Sequence, residues 1–276
     1  MRGRIRVGDL LSLLLLTAVS VLVLAPFVFM LSTSLRLPRD SFTLPPKWLP
    51  TDFRVQNYAD VFDLVPMGTY LVNSVKVTAA IVLGQVVTAS LAAYAFARLR
   101  FPGKNLLFFL LMSAMMVPLL VTIIPVFVLV RTLGLVDTHA SLILPALTTP
   151  FGVFLLRQFF LTIPRELEEA AFIDGAGPWR TFASVIAPLG APGIVVLTIL
   201  AFNGYWNEFF RPLIFLNSAE QYTLPIGLVS LRGYMGTNSV AVVMAGVTIA
   251  MLPVVLVFVV AQRRLVEGIA LTGIKG

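Results

Sequence analysis

Six runs of apolar residues, each long enough to cross the hydrocarbon of a bilayer, decide what this chain can fold into. A helix needs about 20 such residues to span a membrane. The runs are Leu10–Leu31, Thr69–Ala97, Asn105–Val130, Ala140–Leu161, Ala191–Phe215 and Val240–Ala261. Inside lipid each backbone N–H and C=O must find its partner within the protein, so each run is expected as a helix. The expected fold is an all-α membrane protein, one transmembrane domain over residues 1–276 with six spans. Charge agrees, because only 12% of the residues are charged where a soluble globular domain carries roughly 25%.

The ends of the runs set the topology. Arg2, Arg4 and Arg6 followed by an apolar stretch suggest a signal peptide. The stretch to Leu31 exceeds the usual apolar region of about 7–15 residues, however, and is expected as an uncleaved first span. If the N-terminus is cytoplasmic, that side holds twelve cations: Arg2, Arg4, Arg6, Arg98, Arg100, Lys104, Arg157, Arg165, Arg180, Arg263, Arg264 and Lys275. The outer side holds seven: Arg36, Arg39, Lys47, Arg54, Arg131, Arg211 and Arg232, with Lys76 inside the second run. The positive-inside rule therefore favours both termini in the cytoplasm. Because these cations sit singly at span ends and form no stripe, the net charge of +7 fits lipid headgroups and not nucleic acid.

Between the first two runs, residues 32–68 are rich in proline (Pro38, Pro45, Pro46, Pro50, Pro66) and carry Phe42, Trp48, Phe53 and Tyr58. They read as an ordered external loop with one short helix near Asn57–Phe62. Further prolines interrupt the apolar runs at Pro118, Pro125, Pro145, Pro150 and Pro253. Such breaks mean either kinks, or irregular backbone where protein or a water-filled path takes up the freed carbonyls.

The long polar segment 164–192, between the fourth and fifth runs, reads as helix, turn, helix. Pro164 suits a first helical position, and Glu166, Glu168 and Glu169 crowd the first turns, where the helix dipole favours negative charge. Leu167, Ala170 and Ala171 share a face. Gly175 after Asp174 is a stop in the left-handed backbone, Pro178 opens a second helix carrying Trp179, Phe182 and Ile186, and Pro188 closes it. On residues alone this is either a part that fits another protein or an amphipathic loop on lipid.

Polar groups at membrane depth are the other candidates. Asn203, Tyr205, Trp206, Asn207 and Glu208 cluster in the fifth run, with Asn203 and Asn207 one helical turn apart and Tyr205 and Glu208 a face over. Amide, hydroxyl and carboxylate groups beside flat rings suit a sugar-like solute; helix–helix bonding explains the asparagines equally well. Lys76 reads as snorkelling or paired. His139 is the only histidine and there is no cysteine, so neither a metal cluster nor a disulfide can be built. No G-x-x-x-x-G-K-[ST] phosphate loop occurs, and ATP hydrolysis by that route is excluded.

Glu169-Ala170-Ala171, three residues, Gly175, nine residues, then Val185-Ile186-Ala187-Pro188 resembles the EAA loop of ABC importer membrane subunits, with Asp174 and Ala176 flanking the glycine. Val185 and Ala187 depart from the Ile and Leu of that pattern, and the fit at Ala187 is looser. Asn73-Ser74, Tyr94-Ala95-Phe96-Ala97-Arg98, Phe101-Pro102-Gly103-Lys104, Gly134-Leu135-Val136-Asp137-Thr138, Trp206-Asn207-Glu208-Phe209, Tyr222-Thr223-Leu224-Pro225-Ile226-Gly227 and the closing Ala261-to-Val266 segment resemble carbohydrate-type permeases. The tail Thr272–Gly276 is similar to that of the maltose-permease (MalG-like) branch.

The resemblance implies a type I importer permease in the bacterial cytoplasmic membrane, not itself an enzyme. Its partners would be a second, non-identical permease, an ATPase dimer binding ATP and Mg, and an external solute-binding protein. It implies that Glu169, Ala170, Ala171, Asp174, Gly175, Ala176 and Pro188 couple to the ATPase. The pivots are expected at Glu169, as a charged anchor at the interface, and at Gly175, as a turn no larger residue can replace. The solute would be an oligosaccharide, or glycerol phosphate or another polyol. The short basic tail would reach between the ATPase subunits. The rivals from other classes are an ion-coupled secondary transporter, which wants paired carboxylates at depth and a repeated half, and a membrane scaffold. A stoichiometric ATPase partner separates them.

Overall fold

The computed structural model describes the backbone of residues 7–40, 48–50, 52–233 and 239–273. The basic start Arg2, Arg4 and Arg6, the loop residues Phe42, Pro45, Pro46 and Lys47, and the tail residues Ile274, Lys275 and Gly276 lie outside them. The described residues contain helices and no strand. In order the helices are α1 (Val7–Ser34), α2 (Gln56–Leu64), α3 (Met67–Arg98), α4 (Lys104–Ser113), α5 (Leu119–Thr132), α6 (His139–Ile143) and α7 (Pro150–Thr162). Then come α8 (Glu166–Ile173), α9 (Pro178–Thr181), α10 (Ala187–Leu189), α11 (Ala191–Trp206), α12 (Phe210–Phe215), α13 (Leu224–Ser230) and α14 (Val240–Gly273).

Three helices are long and apolar enough to cross a membrane unbroken: Leu10–Ser34, Met67–Arg98 and Val240–Gln262. The other expected spans are bent. The third run turns by 102° between Lys104–Met116 and Leu119–Thr132, and the fourth by 41° between His139–Ala146 and Pro150–Thr162. Pro118, Pro145 and Pro150 stand at these two breaks, while Pro125 and Pro253 sit inside α5 and α14. The fifth run is not one helix to Phe215, as its hydropathy suggests. Helix α11 stops at Trp206, Asn207 is its cap, and α12 restarts at Phe210. The sixth runs on to Gly273 in its backbone, beyond the expected end at Ala261.

The chain divides into two compact units, residues 1–67 with 227–252, and residues 68–226 with 253–276. In the first unit, α1 leads into the loop, whose described part is ordered as expected, with the short helix realised as α2. Asn57 is fully buried and donates through Nδ2 to the carbonyls of Ser34 and Arg36, while Ser34 and the Tyr58 hydroxyl bond at 2.8 Å. Within the same unit α14 approaches the end of α13 closely at Gly246. A Cβ there would stand 2.4 Å from Cδ1 of Leu231, the residue after that helix, and 3.3 Å from Leu228 Cδ2 within it.

The second unit holds two apolar cores. One, built from Ala89, Ala93, Tyr94, Ala97, Val153, Leu156, Phe160, Ile163, Ile186 and Leu197, joins the lower half of α3 to α7 and to the 164–192 segment. The other, with Val77, Ile81, Ile123, Val130, Leu142, Ala146 and Phe215, joins the upper half of α3 to α5, α6 and α12. Several segments that carry the family resemblance turn out to be stitches between elements. Asn73 Nδ2 donates to the carbonyls of Glu220 and Tyr222, and the Ser74 hydroxyl accepts from Leu224 N–H at 2.7 Å. Asp137, in the left-handed region at φ 62°, accepts from the N–H groups of Asn217 and Ser218 and from the Ser218 hydroxyl. Those bonds hold the Asp137 carboxyl below its ordinary pKa, the Ser218 hydroxyl first among them.

Candidate functional site

The 164–192 segment folds as an elbow. Glu166–Ile173 is helical, with Pro164 before the helix and Arg165, not Pro164, at its N-terminal boundary. The stop is a Schellman turn: Gly175 N–H bonds Phe172 O at 3.0 Å and Ala176 N–H bonds Ala171 O at 2.9 Å. Gly175 is in the left-handed region at φ 79°, and a Cβ there would meet nothing within 4 Å. Its backbone angle, not its lack of bulk, is what the turn requires. Ala171, Gly175 and Ala176 of the motif therefore share one backbone device.

Pro178 opens α9 as expected, at its first turn. Pro188 does not close the second helix. The ladder widens into a π turn over Phe182–Ile186, where Ala187 N–H reaches Phe182 O, and Pro188, which has no N–H to give, follows inside α10. The chain then bends by 74° into α11. Gly190 makes the bend, because a Cβ there would lie 2.3 Å from Phe160 Cε1.

The elbow's two faces differ. Outward stand Glu169, Ala170, Asp174 and Pro188, together with large apolar side chains at its tip: Ile173 is 86% exposed and Trp179 73%. Inward, Ile186 is buried, Phe182 and Val185 pack on the lower core, and the Tyr94 and Phe182 rings lie 5.2 Å apart. The first half is fastened by an ion pair. Arg98 Nε and Glu168 Oε1 are 2.8 Å apart, with side chains only 3% and 10% exposed. Arg98 Nη2 also donates to the carbonyl of Ile163, the cap residue after α7, at 2.5 Å and to that of Phe160 in its last turn. Burial pushes the Glu168 carboxyl above its ordinary pKa, against the pull of Arg98 and Arg165. Of the three glutamates in α8, Glu168 is the anchored one, a role the spacing did not single out.

The second feature is a cavity of about 640 Å³ among α3, α5, α7, α11 and α12, lined by Gln85, Thr122, Ala146, Thr148, Thr149, Tyr205, Glu208 and Arg211 among others. Gln85, Thr149, Tyr205, Glu208 and Arg211 in its wall are paired in place. Gln85 Nε2 donates to the Tyr205 hydroxyl at 2.7 Å and to Ala146 O at 2.8 Å. Thr88 donates to Leu147 O at 2.6 Å, and the Thr149 hydroxyl caps α7 by accepting from Gly152 N–H. Glu208 is chelated by Arg211, whose Nη2 lies 2.5 Å from Oε2 and whose Nε meets Oε1. Arg211 Nη1 donates to Leu142 O, and the guanidinium stands 5.3 Å from the Tyr205 ring centroid.

Of the residues expected along a solute path, Tyr205 and Glu208 line this cavity. Asn203 and Asn207 do not: they are exposed and bonded to each other, Asn207 Nδ2 donating to the Asn203 carbonyl at 2.9 Å. Trp206 is buried, its ring stacked on Phe202 at 5.5 Å. Glu208 is outside the helix that was expected to carry it. Gln85 and Arg211 were missed; an amide in mid-run and a cation three residues after Glu208 were the available signals. Lys76 is exposed on α3.

A family model described as the binding-protein-dependent transport system inner membrane component matches residues 85–270. The diacetylchitobiose uptake system permease protein NgcG of Streptomyces coelicolor is 31% identical over 254 residues, 91% of this chain and 84% of that one. The arabinooligosaccharides transport system permease protein AraQ of Halalkalibacterium halodurans is 34% identical, covering 82% and 81% of the two chains. The sn-glycerol-3-phosphate transport system permease protein UgpE of Brucella abortus is 33% identical over 274 residues, 96% of each. Among solved structures, a bacterial ABC transporter involved in the import of the acidic polysaccharide alginate superposes with a TM-score of 0.80 at 25% identity, over 95% of this chain and 98% of that one.

Proposed function

Since the chain belongs to the family of binding-protein-dependent transport system inner membrane components, and is thus the permease subunit of an ABC importer, we propose that its elbow receives force from a partner ATPase dimer while its cavity lines the path of a neutral sugar-type solute. An external solute-binding protein delivers the solute, and a second, non-identical permease supplies the rest of the path. ATP with Mg is used by the ATPase. Both termini and the elbow face the cytoplasm.

One observation carries the coupling half: apolar side chains stand in water at the tip of a loop whose back is fastened to the protein. Ile173 and Trp179 flank the Gly175 turn and bury little of their surface within the chain. Exposed apolar groups beside charged ones mark a surface that a protein or a membrane covers, and the match to the coupling-loop pattern favours the protein. Glu169, Ala170, Asp174, Ala176 and Pro188 rim it, with Glu169 as its charged contact. The chain has no cysteine, so Arg180→Cys beside the tip gives a single cross-linking site. In the isolated complex that cysteine is expected to cross-link to the ATPase. Labelling by a membrane-impermeant reagent from outside sealed cells would refute the placement.

The solute half rests on the Glu208–Arg211 pair. It leaves the cavity with no uncompensated charge and with amide and hydroxyl groups beside the Tyr205 ring, a surface for a neutral polyhydroxylated ring. Arabinooligosaccharide and diacetylchitobiose relatives support this reading. Glycerol phosphate, the solute of another relative, would have to draw Arg211 from its carboxylate. Asn203 and Asn207, exposed beside the cavity wall, would extend the path toward the second permease. Uptake of labelled glycerol phosphate but not of a neutral oligosaccharide by the reconstituted complex would reverse the assignment.

A further inference from the structure

We propose that Arg98 is the positioning residue through which the elbow moves the pore, a role that rests on the elbow being the docking site of the ATPase. Three helix ends meet at its guanidinium. Arg98 is itself the last residue of α3, it donates to the carbonyls of Phe160 in the last turn of α7 and of its cap residue Ile163, and it pairs with Glu168 in the first turn of α8. The charges suit the helix dipoles: a cation at two C-termini and a carboxylate at an N-terminus. Arg98 Nε and Glu168 Oε1 have no hydrogen-bond partner among the described residues beyond this ion contact. Breaking the pair therefore releases α8 without a ready substitute.

The second half of the elbow is seated one helical turn away on the same helix, where the Tyr94 ring packs on Phe182. Both halves thus ride on the cytoplasmic end of α3. The other end of the connection is on the page as well. Gln85 stands thirteen residues before Arg98 on α3, about 20 Å along the helix axis. There it holds the Tyr205 hydroxyl and Ala146 O in the cavity wall. A displacement of α8 is carried through the ion pair to a rigid helix, and by that helix to the groups that shape the cavity. Without the pair, α8 swings on the 163–165 connection and the motion is lost there. Spatial continuity is not coupling, so the measurement must read coupling itself.

The test uses the assembled transporter in vesicles, with the ATPase, the second permease and the solute-binding protein, and reads solute molecules imported per ATP hydrolysed. Glu168→Gln keeps the shape of the side chain and removes the charge. It is expected to lower that ratio tenfold or more, while the Arg180→Cys cross-link to the ATPase forms as in the parent. Arg98→Lys keeps the charge but loses the fork, and is expected to fall between the two. A parent-like ratio in both variants with the cross-link intact overturns the joint and leaves the docking site standing. Failure of the cross-link in the chain carrying Arg180→Cys alone overturns the docking site, and the joint with it. If Glu168→Gln does not assemble, Arg98→Lys decides alone: a parent-like ratio overturns the proposal.

Discussion

Gly175 offers the sharpest test of how the elbow works, because its environment separates two reasons for a glycine. A Cβ at that position has open space around it, yet the backbone stands at φ 79°. Substitution costs only the left-handed conformation, about 1–2 kcal/mol for an ordinary L-residue, which corresponds to a 5- to 30-fold shift in the population of the turn. Asparagine visits this region most readily, alanine pays the ordinary cost, and the β-branched valine pays more. The rest of the elbow stays anchored by Arg98–Glu168 and by Ile186, so the protein still inserts and assembles. Imported solute per ATP should therefore fall in the order Gly175→Asn, Gly175→Ala, Gly175→Val, with the asparagine variant near the parent and valine at least tenfold down. The ratio is measured in vesicles carrying the complete complex, with assembly checked by co-purification of the ATPase. If asparagine and valine are equally damaging, the glycine serves close contact with the partner, and the backbone argument is wrong.

Three further outcomes follow from the cavity and from the Asp137 turn. Glu208→Gln leaves the buried Arg211 guanidinium without its carboxylate and should cost about 3–5 kcal/mol, whereas Glu208→Leu with Arg211→Met should be milder; thermal inactivation of the detergent-solubilised protein ranks them. Tyr205→Phe removes one bond from Gln85 and should cost about 1 kcal/mol, while Gln85→Leu orphans Ala146 O and the Tyr205 hydroxyl and should cost about 1–3 kcal/mol for each group left unpaired; the same assay reads both. The Asp137 carboxyl has its pKa lowered in the folded protein, so its contribution is present above the unfolded value of about 3.9 and is lost as pH falls through the lower folded value. Hydrogen exchange at Asn217 and Ser218 should stay slow through mildly acidic pH and speed up only below the ordinary carboxylate range, and Asp137→Asn should abolish that transition.

What was legible in the residues was mostly local. The short helix in the first loop, the left-handed stop at Gly175 and the opening at Pro178 each rest on a signal contained within a few residues, and each is present. Of the six apolar runs, by contrast, only the first, second and sixth form single unbroken helices among the described residues. The choice among Glu166, Glu168 and Glu169 was not local. Which of them turns inward depends on where α3 ends, sixty-eight residues before α8 begins. Hydropathy also hid the break at Trp206, because an apolar run reads the same whether its helix continues or bends; at Pro118 the proline marked the break but not its angle of 102°. The Glu208–Arg211 pair, by contrast, was within reach at three residues' separation. Counting Arg211 among the outer cations obscured it, since a cation that chelates a carboxylate is no witness to topology.

The proline breaks then acquire a reason that composition alone left open. A proline within an apolar run strands carbonyls, and in hydrocarbon each must be met by protein or water. Around Pro145 and Pro150 they are met by protein: Gln85 takes Ala146 O and Thr88 takes Leu147 O, while Thr149 accepts from the Gly152 N–H in the first turn of α7. Two of these three polar side chains come from one face of α3, and Pro145, Ala146 and Thr149 are also walls of the cavity. Plain kinking would need the polar partners but not the cavity, and a water-filled path would need the cavity but not such complete satisfaction of its backbone. Finding both in one place means that the wall of the cavity is irregular backbone held in shape by α3. Any shift of α3 along its axis must then either carry the 145–149 segment with it or break those bonds, and so the cavity changes shape when the helix moves.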